Sequence, residues 1–103
     1  MEKNYEISRL LDFYGNLLNE KQRNTLVCYY EEDLSLSEIA ENEGISRQGV
    51  SDSIRRGEQQ LRGFEEKLHL LEMSISLEEL SARLENVDDE TKQLVDRISA
   101  LLP

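Results

Sequence analysis

The sequence predicts an all-α protein built around a helix-turn-helix unit. Three observations carry this. Apolar residues recur at three- and four-residue steps almost throughout. The chain has one proline and five glycines in 103 residues, few enough to leave long helices intact. Helix-start signals, a polar cap followed three residues later by Glu or Gln, recur along the chain.

In the first helix, about 5–17, Ile7, Leu10, Leu11, Tyr14, Leu17 and Leu18 form one stripe, and Gly15 weakens the last turn. Asn19 with Gln22 opens a second helix, about 20–31, with Leu26, Val27 and Tyr30 inward. Its acidic end, Glu31-Glu32-Asp33, opposes the helix dipole and helps to stop it.

Ser35 to Glu38 form a capping box for a short third helix, 36–43, which buries Leu36, Ile39 and Ala40. Gly44 supplies the left-handed residue that ends it. Ile45 plugs the corner and Ser46 caps a fourth helix from Arg47. Ile39, small Ala40, Gly44, Ile45, Val50 and Ile54 thus supply the packed turn that a helix-turn-helix requires. Glu43 stands where such units often place an apolar residue, and Ile54 takes the packing role that Ser53 cannot.

The fourth helix reads as long. Val50, Ile54, Gly57, Leu61, Phe64, Leu68 and Leu71 keep a heptad seam with no stop before Ser74 or Ser76. Such a rod would run for about 26 residues, roughly 39 Å. Intrachain cover is expected up to Leu61. Self-association is expected through Leu61, Phe64, Leu68 and Leu71, making the chain a homodimer. Of its glycines, Gly57 falls on the seam and implies close backbone approach. Ser76 to Glu79 would cap a fifth helix carrying Leu77, Leu80 and Leu84. Asp88 or Asp89 would cap a sixth carrying Leu94, Val95, Ile98, Leu101 and Leu102. The domain division is 1–72, the helix-turn-helix with its long helix, and 73–103, a helical extension packing on it or on a partner chain.

The net charge is −10, which repels polyanions at long range. It is unevenly spread: residues 1–46 carry −6, residues 47–62 carry +2 and residues 63–103 carry −6. The only basic segment is therefore the start of the fourth helix. Arg47, Gln48, Ser51 and Arg55 can reach base edges or phosphates there. Ser46 and Arg56 can hold phosphate. Asp52 beside them would repel it.

A lone Cys28 forms no disulfide within the chain and reads as a core residue. With a single His69 as well, no metal site can be completed, and no glycine loop for phosphate is present. An enzyme and a cofactor are not expected. The N-terminus does not read as a signal peptide, no run spans a membrane, and a cytoplasmic protein is expected.

Residues 18–46, LNEKQRNTLVCYYEEDLSLSEIAENEGIS, resemble the DNA-binding region 4 of bacterial sigma factors. Residues 9–41, RLLDFYGNLLNEKQRNTLVCYYEEDLSLSEIAE, and 46–70, SRQGVSDSIRRGEQQLRGFEEKLHL, are more closely similar to the YlxM family of bacterial helix-turn-helix proteins. The likeness covers about the first 72 residues. It implies a sigma-region-like helical fold, with recognition on Arg47, Gln48, Ser51, Asp52 and Arg55. From the family's gene neighbourhood it also implies a regulatory or accessory role in the signal recognition particle pathway, with DNA, or the particle's protein or RNA, as partner.

Overall fold

In the computed structural model, which describes residues 4–103, six helices run in order among the described residues. They are α1 (Tyr5–Tyr14), α2 (Glu20–Tyr30), α3 (Leu36–Glu43), α4 (Arg47–Leu68), α5 (Leu70–Arg83) and α6 (Asp89–Ala100), with a 3-10 turn at Gly15–Leu17.

Local chemistry sets most of the boundaries. Asn19 Oδ1 accepts from the Gln22 amide at 2.8 Å and opens α2. Ser35 and Glu38 close their capping box reciprocally, each bond 3.1 Å. Gly44 adopts the left-handed conformation, φ 69°, ψ 31°, and the Ile45 amide turns back to the Ala40 carbonyl at 3.1 Å. Ser46 Oγ then accepts from the Gly49 amide at 3.0 Å to start α4. Each cap satisfies an amide that a helix end leaves unpaired.

Packing is centred on α4, which α1, α2 and α3 surround. Ile7, Leu10, Leu11 and Tyr14 of α1 meet Leu26 and Tyr29 of α2, Ile39 and Ala40 of α3, and Val50, Ile54 and Leu61 of α4 in one core. Gly57 is where α2 crosses α4: a Cβ there would stand 2.6 Å from Leu26 Cδ1. The close approach expected at this glycine is present.

Several details differ from the expectation. The buried face of α2 carries Gln22, Thr25, Leu26 and Tyr29, with Val27, Cys28 and Tyr30 only half-buried. Leu17 is exposed in the 3-10 turn, while Leu18 is buried. The long fourth helix is shorter than read: it stops at Leu68, and His69 takes a left-handed conformation, φ 56°, ψ 29°. A new helix then begins at Leu70. Ser76 to Glu79 lie inside it and cap nothing, and residues 72 and 73 fall within α5.

The bend has a tertiary cause. The Tyr14 hydroxyl donates to Glu65 Oε1 at 2.6 Å and accepts from the Leu70 amide at 3.1 Å. Glu65 Oε1 and Oε2 accept from the amides of Leu71 (2.9 Å) and Glu72 (3.1 Å). Two side chains thus satisfy the first three amides of α5. The turn also carries Leu71 into the core against α1. Leu61 and Leu71 are buried within the chain and Phe64 is half-buried against the core, so three of the four residues expected to self-associate are taken up internally; Leu68 is exposed. The hairpin α5–α6 extends from this body, giving extents of 57 × 23 × 19 Å.

Candidate nucleic-acid interface

The turn at Gly44–Ser46 leaves the first turns of α4 on the surface. Val50, Ile54, Gly57 and Leu61 define the inward side of α4. At 100° per residue the opposite side carries Gln48, Asp52, Arg55 and Gln59, with Ser51 and Arg62 beside them. Arg47, Gln48, Arg55 and Arg56 are exposed, and Ser51 and Asp52 are half-buried.

One cluster forms on this face. Asp52 Oδ1 accepts from Gln48 Nε2 at 3.0 Å and from the Arg55 guanidinium at 3.0 Å. The carboxylate therefore sits between Gln48 and Arg55 and bonds both. One charge-assisted hydrogen bond, the ion pair itself, lowers the freedom of Arg55 and offsets its charge, leaving its other donors unused by Asp52.

The other site residues are spread around this cluster. Arg47 lies on one flank, lining a groove with the start of α3 and Tyr29. Arg56 lies on the other flank, half-way round the helix from Arg47, lining a groove with Lys21, Gln22, Gln60 and the acidic Glu43. Neither makes an ion pair with another described residue. Ser46 Oγ is engaged as the α4 cap. The positive charge thus forms a band across the start of α4, with Arg47 and Arg56 at its edges and the Asp52–Arg55 pair in the middle.

Two features of this surface were not read from the sequence. Lys21 joins Arg56 across the groove from a different helix, which no local pattern reveals. The Asp52 clamp was readable: Gln48 and Arg55 stand four residues before it and three after, the spacings that meet on a helix surface.

Around the interface, Tyr30 donates to Glu58 Oε1 and ties α2 to α4. Burial, then this bond, push the phenol well above its usual range. Thr25 Oγ1 donates to Glu43 Oε1 at 2.7 Å, while Glu43 Oε2 is buried with no hydrogen-bond partner among the described residues. Cys28 is half-buried, and burial followed by the charge of Glu32 raises its thiol pKa. Among the described residues no group of three or more His, Cys, Asp and Glu could hold a metal ion, and no helix is long and apolar enough to cross a membrane.

Comparison with known proteins adds the lineage. The chain is 52% identical over 65 residues to a UPF0122 protein of Clostridium perfringens, a stretch that is 63% of this chain and 58% of that protein. The match therefore spans little more than half of that relative. A UPF0122 protein of Malacoplasma penetrans is 53% identical over 60 residues, 58% of this chain and 56% of its own length. One from Clostridium kluyveri is 44% identical over 101 residues, 98% of this chain and 82% of its own. The family model described as "Putative helix-turn-helix protein, YlxM / p13 like" matches residues 1–101, and with the turn at Gly44 and the capped start of α4 in place, the chain belongs to the UPF0122 helix-turn-helix family.

Proposed function

We propose that this chain is a cytoplasmic regulatory protein that binds duplex DNA by laying the start of α4 in the major groove. The observation that carries this reading is the coincidence of the only net-basic segment, residues 47–62, with the exposed first turns of the second helix of the motif. In this reading Arg55 and Gln48 contact base edges, held by Asp52. Arg47, Arg56, Ser46 and Lys21 contact phosphates on either side. Ser51 lies between them. The protein acts as a homodimer, so that two recognition helices meet half-sites about one helical turn, roughly 34 Å, apart.

The test is retention of a random pool of duplexes over a salt series. Binding is expected to fall steeply with salt, because each phosphate contact releases a counterion. Absence of retention at low salt for every duplex would remove the reading.

A second reading is supported by the clamp itself and by the acidic flanks. With Arg55 neutralised and −6 on each side of the basic segment, long-range attraction to polyanions is weak. In that reading the chain is an accessory module for the protein or RNA of the signal recognition particle, the pathway implied by its resemblance. Recovery of particle components from an extract, with and without nuclease, separates an RNA contact from a protein one.

A further inference from the structure

α5 and α6 form an antiparallel hairpin: Ser74, early in α5, lines the same groove as Ser99, Leu102 and Pro103 at the far end of α6. In α6, only Val95 is buried. A 12-residue helix is marginal in water without an apolar surface to pack on, and one buried valine supplies little.

The hairpin nevertheless carries two regular seams. Met73, Leu77, Leu80 and Leu84 step by four and three along α5, and Leu94, Ile98 and Leu101 do the same along α6. Leu77 faces the groove with α6, and Val95 is the buried position of α6. At 100° per residue Met73 and Leu80 fall on one side of Leu77, and Leu94, Ile98 and Leu101 on one side of Val95. In an antiparallel pair these are the same side of the hairpin. All five are exposed, from 44% at Leu80 to 84% at Leu101.

We propose that a second copy of this chain seats on that face and closes a four-helix bundle, with α5 antiparallel to α5 of the partner and α6 antiparallel to α6. The inference deepens the dimeric part of the reading above and does not depend on DNA contact. The rim charges favour this occupant. By helical position Glu72 and Glu90 flank the face near the helix starts, Glu79 midway along α5, and Arg83 and Arg97 near the helix ends. Antiparallel pairing brings Glu90 opposite Arg97 of the partner subunit, and Glu72, whose carboxylate also meets His69 Nδ1 at 3.0 Å, opposite Arg83 of the partner subunit, each pair occurring twice by symmetry.

A basic helix from another protein fits less well, because the rim is not uniformly acidic and Glu78 is turned away to Arg9 at 3.6 Å. The seams run about 16 Å along α5 and about 10 Å along α6, roughly 250 Å² in projection per copy. An area this small lies below the standard range of specific interfaces, so a weak, reversible, concentration-dependent dimer is expected.

Sedimentation equilibrium of the full chain from about 1 to about 300 μM tests this. The expected result is a monomer–dimer equilibrium that Leu94→Glu with Ile98→Glu weakens at least about tenfold, with helical circular dichroism retained. If that double variant loses helix, Leu101→Glu serves instead, since its side chain is already in solvent. Glu72→Arg should weaken the dimer, and Glu72→Arg with Arg83→Glu should restore it. A wild-type chain that stays monomeric throughout overturns the proposal, as does a dimer that none of these substitutions weakens. So does a monomer that instead binds a synthetic basic amphipathic Leu/Lys peptide through this face. A monomeric chain that still retains duplex defeats this inference and leaves DNA binding standing, whereas a dimer that retains no duplex does the reverse.

Discussion

The Tyr14 hydroxyl lies 2.6 Å from Glu65 Oε1, across 51 residues of sequence, and this pair turns what would be one rod into two helices. Tyr14 is fully buried at the end of α1, so its hydroxyl position is set by the core. Glu65 is thereby fixed where both of its oxygens can cap α5. The left-handed His69 costs on the order of 1–2 kcal/mol for a non-glycine residue, which these capping bonds and the burial of Leu71 offset.

Tyr14→Phe should therefore loosen the bend without emptying the core. It removes the donor to Glu65 and the acceptor for the Leu70 amide, an expected loss of about 1–2 kcal/mol in urea unfolding. The variant should also change the pH profile. Burial acts to raise the Glu65 pKa, but the Tyr14 hydroxyl, then the Leu71 and Glu72 amides and the charge of His69, outweigh it and leave the pKa below its ordinary 4.5. A depressed carboxyl pKa gives stability that is present above pH 4.5 and disappears as pH falls through the folded value. Burial and the bond to Glu65 raise the Tyr14 pKa above 10.0, so its contribution holds below pH 10 and is lost at higher pH. Wild type should lose stability at both extremes, and Tyr14→Phe should lose it less steeply at each. Identical slopes for the two proteins would show that the Tyr14–Glu65 bond does not stabilise the bend.

Gly57 and Gly63 should respond oppositely to alanine. Both lie inside α4, where alanine gains about 1 kcal/mol in helix propensity. At Gly63 no atom lies within 4 Å of the added methyl, so Gly63→Ala should stabilise by about that amount. At Gly57 the methyl would stand 2.6 Å from Leu26 Cδ1 and 3.2 Å from its Cγ, so the fully buried Leu26 must shift within the core. Overpacking of about 1–3 kcal/mol exceeds the propensity gain, and Gly57→Ala should destabilise. Thermal melts of the two single variants decide it.

What could be read without coordinates follows from the range of the interactions involved. Asn19, Ser35 with Glu38, Gly44 and Ser46 each act within a few residues of themselves, so the boundaries around α2, α3 and the start of α4 were visible in the chain. Gly57 was visible because a glycine on an apolar seam has few other uses. The end of α4 was not, because the seam through Leu61, Phe64, Leu68 and Leu71 reads the same for a straight rod and a bent pair. The bend depends on Tyr14, far away in sequence. The rotation of α2 was hidden because Gln22 and Thr25 are polar yet buried, paired with Ser53 and with Lys21 and Glu43. At the candidate interface the basic segment was legible from charge alone, whereas Lys21 reaches it from another helix.

Glu43 offers a stabilising substitution. Its Oε2 is buried without a hydrogen-bond partner among the described residues, a costly state for a carboxylate. Thr25, the donor to its other oxygen, can keep the Lys21 carbonyl at 3.1 Å as acceptor. Glu43→Leu should raise stability by about 0.5–1.5 kcal/mol, an increase of several degrees in melting temperature for a chain of this size. An unchanged or lower melting temperature would mean that solvent or a bound group satisfies that oxygen.

Within the DNA-binding reading proposed above, Asp52→Asn separates two consequences of an acid on the outward face of α4. The change removes one negative charge and the ion pair to Arg55, while keeping an acceptor for Gln48. As a shield against phosphate, Asp52 would hold down binding to every duplex, so its loss should raise non-specific affinity and steepen the salt dependence by roughly one charge. As a clamp, it fixes the Arg55 fork, so the same change should flatten preference among sequences, on the order of 1–3 kcal/mol per base pair read. Both effects are expected together: tighter binding overall, with poorer discrimination, in competition titrations of a selected duplex against random DNA. Arg55→Ala should lose the discrimination without the gain in affinity, because it removes a positive charge where Asp52→Asn removes a negative one. If the two variants behave alike, the Asp52–Arg55 pair is a surface contact with no part in reading.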